Sequence, residues 1–273
     1  MDKKQKWIGV AALALVVVIV LVAFTRCGTP EPDSSSSVSQ SLNEEVALPD
    51  FKGMIERAKQ KNSDTKGWLY IPGTDISDVV YQTGDNEFYL RRNGDKNYSF
   101  AGSLFFDYRN KLDPLSQNTI IYGHHIGSPM GAKDDPNGDK FGQLLRFAQE
   151  DFAKKTPFVW LAIEDKVYTF EVFGVYYTEA YMIPVQYHHP SFSKDDWDML
   201  IEDVQARSLY TYEGLTPYDT KILTLSTCSY KYGTYSQNPN QRFVVMARLT
   251  DEKPKVGQTA QFTVNPQPKE PQF

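Results

Sequence analysis

Cysteine is scarce in this chain: there are two in 273 residues, Cys27 and Cys228. Two thiols make no disulfide framework, so Cys228 reads as a free thiol kept for its reactivity and Cys27 as an unreactive one. Metal motifs are missing too. The four histidines fall in two adjacent pairs, His124-His125 and His188-His189, with no HExxH or helical spacing, and no DxDxDG loop is present. The expectation is therefore no metal and no cofactor. There is also no basic excess, and a net charge of −5 argues against nucleic acid as a partner.

What is present first bounds the architecture. At 41% hydrophobic residues the chain can bury a substantial core. Trp7 to Phe24 carries no charge and is flanked by Lys3, Lys4 and Lys6 before it and Arg26 after it. That pattern predicts an uncleaved, single-pass membrane anchor over 7–24, with a cytoplasmic tip at 1–6 and the remainder extracellular. Residues 25–49, rich in serine, acid and proline, read as a flexible linker. The Pro-punctuated segment 251–273 reads as a disordered polar tail.

Between linker and tail the pattern is mainly β. Strands are expected over 67–71, 79–82, 102–106, 119–122, 158–163, 166–177, 221–227 and 241–249, a set that suggests a closed barrel. Phe51, Met54, Ile55 and Ala58 recur at helical spacing behind Asp50, which predicts an N-terminal helix over 50–61. Further helices are expected at 141–147 and at 193–208, where Ser193 with Asp196 suggests a capping box and Trp197, Leu200, Ile201 and Val204 make one apolar face.

The chemistry gathers at strand ends. The apolar, β-branched run Leu223-Thr224-Leu225-Ser226-Thr227-Cys228 delivers a thiol at its end. Asn118-Thr119-Ile120-Ile121-Tyr122-Gly123-His124-His125 delivers imidazoles after a glycine that lets the backbone turn. The run from Gln241 to Leu249 opens with the permanently charged guanidinium of Arg242, which can hold an oxyanion. Cysteine, histidine and arginine form a complete set for acyl transfer. Periodicity alone does not choose between His124 and His125.

These residues resemble the sortases, the cysteine transpeptidases of bacterial surfaces, whose signature joins a Thr-Leu-x-Thr-Cys strand end to an upstream Gly-His and a downstream Arg. Serine in the variable slot, Tyr122-Gly123-His124-His125 and the segment Gly102 to Asn110 look most like the class B branch. The resemblance covers roughly residues 50–250, the expected catalytic domain. It implies an eight-stranded sortase-type β-barrel with a long helix inserted before the cysteine-bearing strand. It matches Cys228 to the family nucleophile, His124 to its histidine and Arg242 to its arginine. Thr227, Ser226, Tyr230 and Tyr232 are the expected substrate-binding residues. Some class B members carry an acidic residue just after the cysteine; this chain has Ser229, Tyr230 and Lys231 instead. The implied partners are sorting-signal peptides of secreted proteins and an amine of peptidoglycan precursor. Alternatives are a pilin lysine as acceptor, a cysteine endopeptidase with water as acceptor, or a non-catalytic binding barrel.

Overall fold

The structure, a computed structural model, describes residues 44–127, 131–181 and 185–273. Its strands are β1 (Thr65–Tyr70), β2 (Ser77–Tyr81), β3 (Leu104–Phe106), β4 (Asn118–Tyr122), β5 (Phe158–Ile163), β6 (Lys166–Glu179), β7 (Tyr210–Tyr212), β8 (Ile222–Cys228), β9 (Gln241–Thr250) and β10 (Phe262–Val264). The α-helices among the described residues are α1 (Phe51–Lys61), α2 (Glu150–Lys155) and α3 (Lys194–Arg207); Phe141–Ala148 forms a 3-10 helix and Phe88–Arg91 a single 3-10 turn. Strands β1-β2-β3-β4-β8-β9-β6-β5 close into a barrel, while β7 and β10 pair separately. The eight expected strands are the eight barrel strands, offset at their ends by a few residues.

The strands near the cysteine read as unbroken apolar runs because both of their faces are covered. Leu223, Leu225, Phe243, Val245 and Ala247 point into the barrel core with Ile121, Phe170 and Val172. Ile222, Val244 and Met246 point outward and are buried beneath Trp197, Leu200 and Val204 of α3. Buried polar side chains between these strands bond one another and the neighbouring backbone, as polar groups taken out of water must: Thr224 Oγ1 donates to Asn118 Oδ1 at 2.7 Å, and Asn118 Nδ2 donates to the Tyr187 carbonyl at 2.7 Å. Asp50 caps α1 by accepting from the Gly53 amide at 3.0 Å. Ser193 caps α3 by accepting from the Asp196 amide at 3.2 Å, and its hydroxyl donates back to the Asp196 carboxylate at 2.7 Å.

Three expectations are corrected. The first concerns the membrane. Among the described residues no helix is long and apolar enough to cross a membrane. The longest, α3, has 14 residues and so spans about 21 Å at ~1.5 Å per residue, short of a hydrocarbon core of about 30 Å. The single-pass localisation is therefore not supported, and the run at 7–24 on which it rested lies outside the described residues, as do Cys27 and most of the linker.

The second concerns the ends of the catalytic domain. Residues expected to close the linker are tied down, with the Val46 amide donating to the Pro254 carbonyl at 2.9 Å and the Val256 amide to that of Glu44 at 2.8 Å. The third concerns the tail, which is not a loose end. β10 pairs antiparallel with β7, and Phe262 packs against Tyr210 and Tyr212 at ring distances of 4.4 and 5.1 Å. Further on, the amides of Asn265 and Lys269 donate to the carbonyls of Leu209 and Ala206. Prolines bar a helix but leave the residues between them able to pair along an edge, and Phe262 supplies the apolar anchor.

Candidate active site

Register brings the three chemical groups together. β8 and β9 are antiparallel, with Cys228 directly opposite Arg242, so the two side chains leave the sheet on the same face. β4 runs parallel to β8 with Tyr122 beside Ser226. Continuing that register past the strand ends sets Gly123 beside Thr227 and His124 beside Cys228. Two hydrogen bonds hold this continuation: the Gly123 amide donates to the Ser226 carbonyl at 3.4 Å, and Thr227 Oγ1 donates to the Gly123 carbonyl at 2.8 Å. His124, Cys228 and Arg242 thus line one cleft of about 440 Å³, with Ser226 and Thr227 in its floor.

Gly123 is needed for space more than for backbone freedom. A Cβ at this position would lie 2.5 Å from Leu104 Cδ2 and 2.8 Å from the Phe141 ring. The close approach of β3 and the 3-10 helix leaves room only for hydrogen, and so fixes where the next residue, His124, emerges.

The electrostatics differ from group to group. His124 Nε2 lies 2.8 Å from the Leu90 carbonyl, to which it donates, leaving Nδ1 as the nitrogen available to the thiol. Burial pushes the His124 pKa below the ordinary histidine value. The Leu90 bond opposes that shift, and the nearby Arg91 guanidinium, 3.3 Å from Nε2, reinforces it. Arg242 Nη1 donates to the carbonyls of Pro239 and Gln241, each at 2.9 Å, which anchors the guanidinium while it faces the cleft. Burial works against the Arg242 charge, but attraction toward Cys228 and neighbouring tyrosines, Tyr187 first, raises its pKa above the usual arginine range. Cys228 is half-buried and is a free thiol among the described residues.

One wall of the cleft was not assigned from the sequence beyond quotation of its segment. Asp107, fully buried, accepts from Arg109 Nε at 2.8 Å and Nη2 at 2.7 Å, from Asn86 Nδ2 at 3.0 Å and from the Tyr122 hydroxyl at 3.0 Å. Burial alone would raise the Asp107 pKa; Arg109 and Asn86 more than offset it, so the carboxylate is held below its ordinary range. Arg109 Nη2 also donates to the His188 carbonyl at 2.8 Å, tying the end of β3 to the segment that carries Tyr187 and His188. The Asp-x-Arg spacing at 107–109 was the available signal. On the floor, Tyr187 and Ser226 share a hydroxyl hydrogen bond of 2.9 Å, so Ser226 is committed to the fold as well as to the cleft.

The expected tyrosines do not line this cleft. Tyr230 stacks on His125 with ring centroids 5.0 Å apart. Tyr232 packs edge-on against Tyr177 at 5.8 Å and meets Phe273 at 5.7 Å. The aromatic loop after Cys228 folds back against the barrel instead of forming an open wall, because its rings gain more burial there. Tyr181, Tyr187 and Tyr108 take the cleft-facing positions.

The sortase-domain family model matches residues 69–250, which contain the whole of this cleft. The chain belongs to the sortase family. It is 32% identical to Sortase B of Listeria monocytogenes over 188 residues, covering 69% of this chain and 70% of that one. Among solved structures, Clostridium perfringens sortase B matches with a TM-score of 0.59 at 32% identity, over 72% of this chain and 99% of that one. A Staphylococcus aureus sortase B–substrate complex matches with a TM-score of 0.61 at 25% identity, over 79% and 90% of the respective chains. This sortase is accordingly a cysteine transpeptidase of the class B-like kind, and its barrel is the sortase barrel.

Proposed function

We propose that this sortase cleaves a C-terminal sorting motif of secreted proteins and joins the new C-terminus to an amine of peptidoglycan precursor, with residues 50–250 as the catalytic unit. The supporting observation is the register pair Cys228–Arg242 at the mouth of a cleft that also holds His124. The Cys228 thiol passes its proton to His124 as Sγ attacks a threonyl carbonyl carbon, and Arg242 faces the oxyanion that forms. The peptide C–N bond then breaks, and His124 gives the departing amine its proton. This leaves a thioacyl bond on Cys228. An incoming amine loses a proton to His124 and attacks the same carbon, the C–S bond breaks, and His124 returns that proton to the departing sulfur to restore the thiol. Ser226 and Thr227 in the floor would meet the peptide backbone. The relative crystallised with substrate supports a peptide in the corresponding groove.

The test is intact-mass spectrometry of the full chain incubated with Asn-Pro-x-Thr-like and Leu-Pro-x-Thr-like peptides, with and without an amine, beside Cys228→Ala. A thioacyl adduct on Cys228 that the amine converts to ligated peptide is expected. Cleavage indifferent to amine would make the protein an endopeptidase, and ligation only to a lysine-bearing acceptor would make it a polymerising enzyme. No adduct with any peptide would sink the reading.

A further inference from the structure

Buried His125 and half-buried Asp134 form a polar cluster that the reaction above does not use. The His125 side chain is fully buried, and its Nε2 accepts from the Asp135 amide at 2.9 Å, so in the neutral ring the proton sits on Nδ1. Nδ1 has no hydrogen-bond partner among the described residues and lies 3.7 Å from Asp134 Oδ1. The Asp134 carboxyl accepts from the Tyr230 amide at 2.6 Å and from Ser229 Oγ at 3.1 Å, the first two residues after Cys228. Tyr230 in turn stacks on the His125 ring, while the Ser229 amide donates to the Gln241 carbonyl at 3.2 Å. The cluster therefore links the residue following His124 to the residues following Cys228, and neither His125 nor Asp134 lines the cleft.

We infer that Asp134, oriented by His125, braces the turn after Cys228 against the segment that bears His124 and so sets the separation of thiol and imidazole. The inference rests on the reading of Cys228 and His124 as the reacting pair. Both are positioning residues, acting through the backbone of their neighbours. Register between β4 and β8 aligns the strands only as far as Tyr122 and Ser226. Beyond that point the chain bearing His124 leaves the sheet while β8 runs on to Cys228 against β9 alone, and a half-buried carboxyl accepting from the two residues that follow Cys228 is a strong means of holding that chain against the first. The ionisation pattern agrees with a neutral ring: burial lowers the His125 pKa against the pull of Asp134 and of the Cys228 backbone, and burial raises that of Asp134.

The experiment uses the full chain with Asp134→Ala, Asp134→Asn, Ser229→Ala and His125→Gln. Three quantities are read for each: kcat and KM for the peptide ligated by the parent, the pH profile of Cys228 alkylation by iodoacetamide, and the melting temperature. Misplacement of reacting groups by about 1 Å costs up to about 100-fold. Asp134→Ala is thus expected to lower kcat by about 10- to 100-fold with KM within about twofold, and to move the alkylation profile. Asp134→Asn, which keeps one accepting oxygen, falls between Asp134→Ala and the milder Ser229→Ala. A folded Asp134→Ala with parental kcat and parental alkylation profile overturns the inference, as does a loss confined to KM or one matched by the unfolded fraction. If Asp134→Ala does not fold, Asp134→Asn and Ser229→Ala decide by the same criteria. If the parent itself ligates no peptide, the proposed function fails separately, and the alkylation profiles still decide the brace: movement supports it and identity overturns it.

Discussion

Arg242→Ala tests the chemistry of the cleft most directly. Two donor contacts from Nη1, to Pro239 and Gln241, fasten the guanidinium at the start of β9. Across the register pair Arg242 stands opposite Cys228, and the other donors of its fork make no protein hydrogen bond among the described residues. Losing one preorganised oxyanion donor costs about 2.7–4 kcal/mol, or about 10²- to 10³-fold in kcat. Arg242→Ala is expected to fall in that range. Arg242→Lys should lose at least about tenfold, because an ammonium that keeps the two carbonyl contacts has one donor left and no planar fork. The control is Arg248→Lys in the same strand, whose Nη2 and Nε are 2.6 and 2.9 Å from Glu171 Oε2 at the opposite end from the cleft; its kcat should stay within about twofold of the parent. The assay is steady-state ligation of a motif peptide to an amine, with melting temperatures to confirm folding. A folded Arg242→Ala that keeps kcat within about threefold, or that changes KM alone, would show that the guanidinium does not stabilise the transition state and would refute the assignment.

Two further outcomes follow from the packing and the charges. Gly123→Ala should displace His124 and lower kcat while also reducing the melting temperature, since its Cβ would clash at 2.5 Å with Leu104 and at 2.8 Å with Phe141; overpacking of this kind costs about 1–3 kcal/mol, and unchanged activity and melting would contradict the model of a space-limited turn. His188 is lowered to about 4 from 6.5, by burial first and then by His189 and Arg109. A histidine whose folded pKa is depressed binds fewer protons folded than unfolded below pH 6.5, so its contribution to stability is lost as pH falls from 6.5 toward about 4. Urea midpoints measured through that window should fall with pH, and His188→Asn should flatten the fall; an identical slope in the variant would remove His188 as a cause.

Some of this was legible in the residues and some was not, for identifiable physical reasons. The barrel strands were readable because β-branched apolar runs bounded by turn residues are a local signal, and α1 and α3 because Asp50 and Ser193 announce their caps ahead of apolar residues at helical spacing. Cys228, His124 and Arg242 stood out as chemistry at strand ends. What only the tertiary structure decided depends on contacts between distant segments. Parallel pairing of β4 with β8 and antiparallel pairing of β8 with β9 put the three groups in one cleft, and no spacing along the chain encodes that order. The aromatic loop looked like a binding wall by composition, yet Tyr230 and Tyr232 turned to His125 and Tyr177 because those rings offered burial. The tail looked too rich in proline to pack, yet β7, itself too short to announce, offered an edge for Phe262 to Val264. No acid stands immediately after Cys228, where Ser229, Tyr230 and Lys231 follow, but Asp134, brought in from a remote loop, hydrogen-bonds to the first two of these. Local patterning determines which elements form and which groups their ends carry; long-range register and competition for burial determine which of those groups meet.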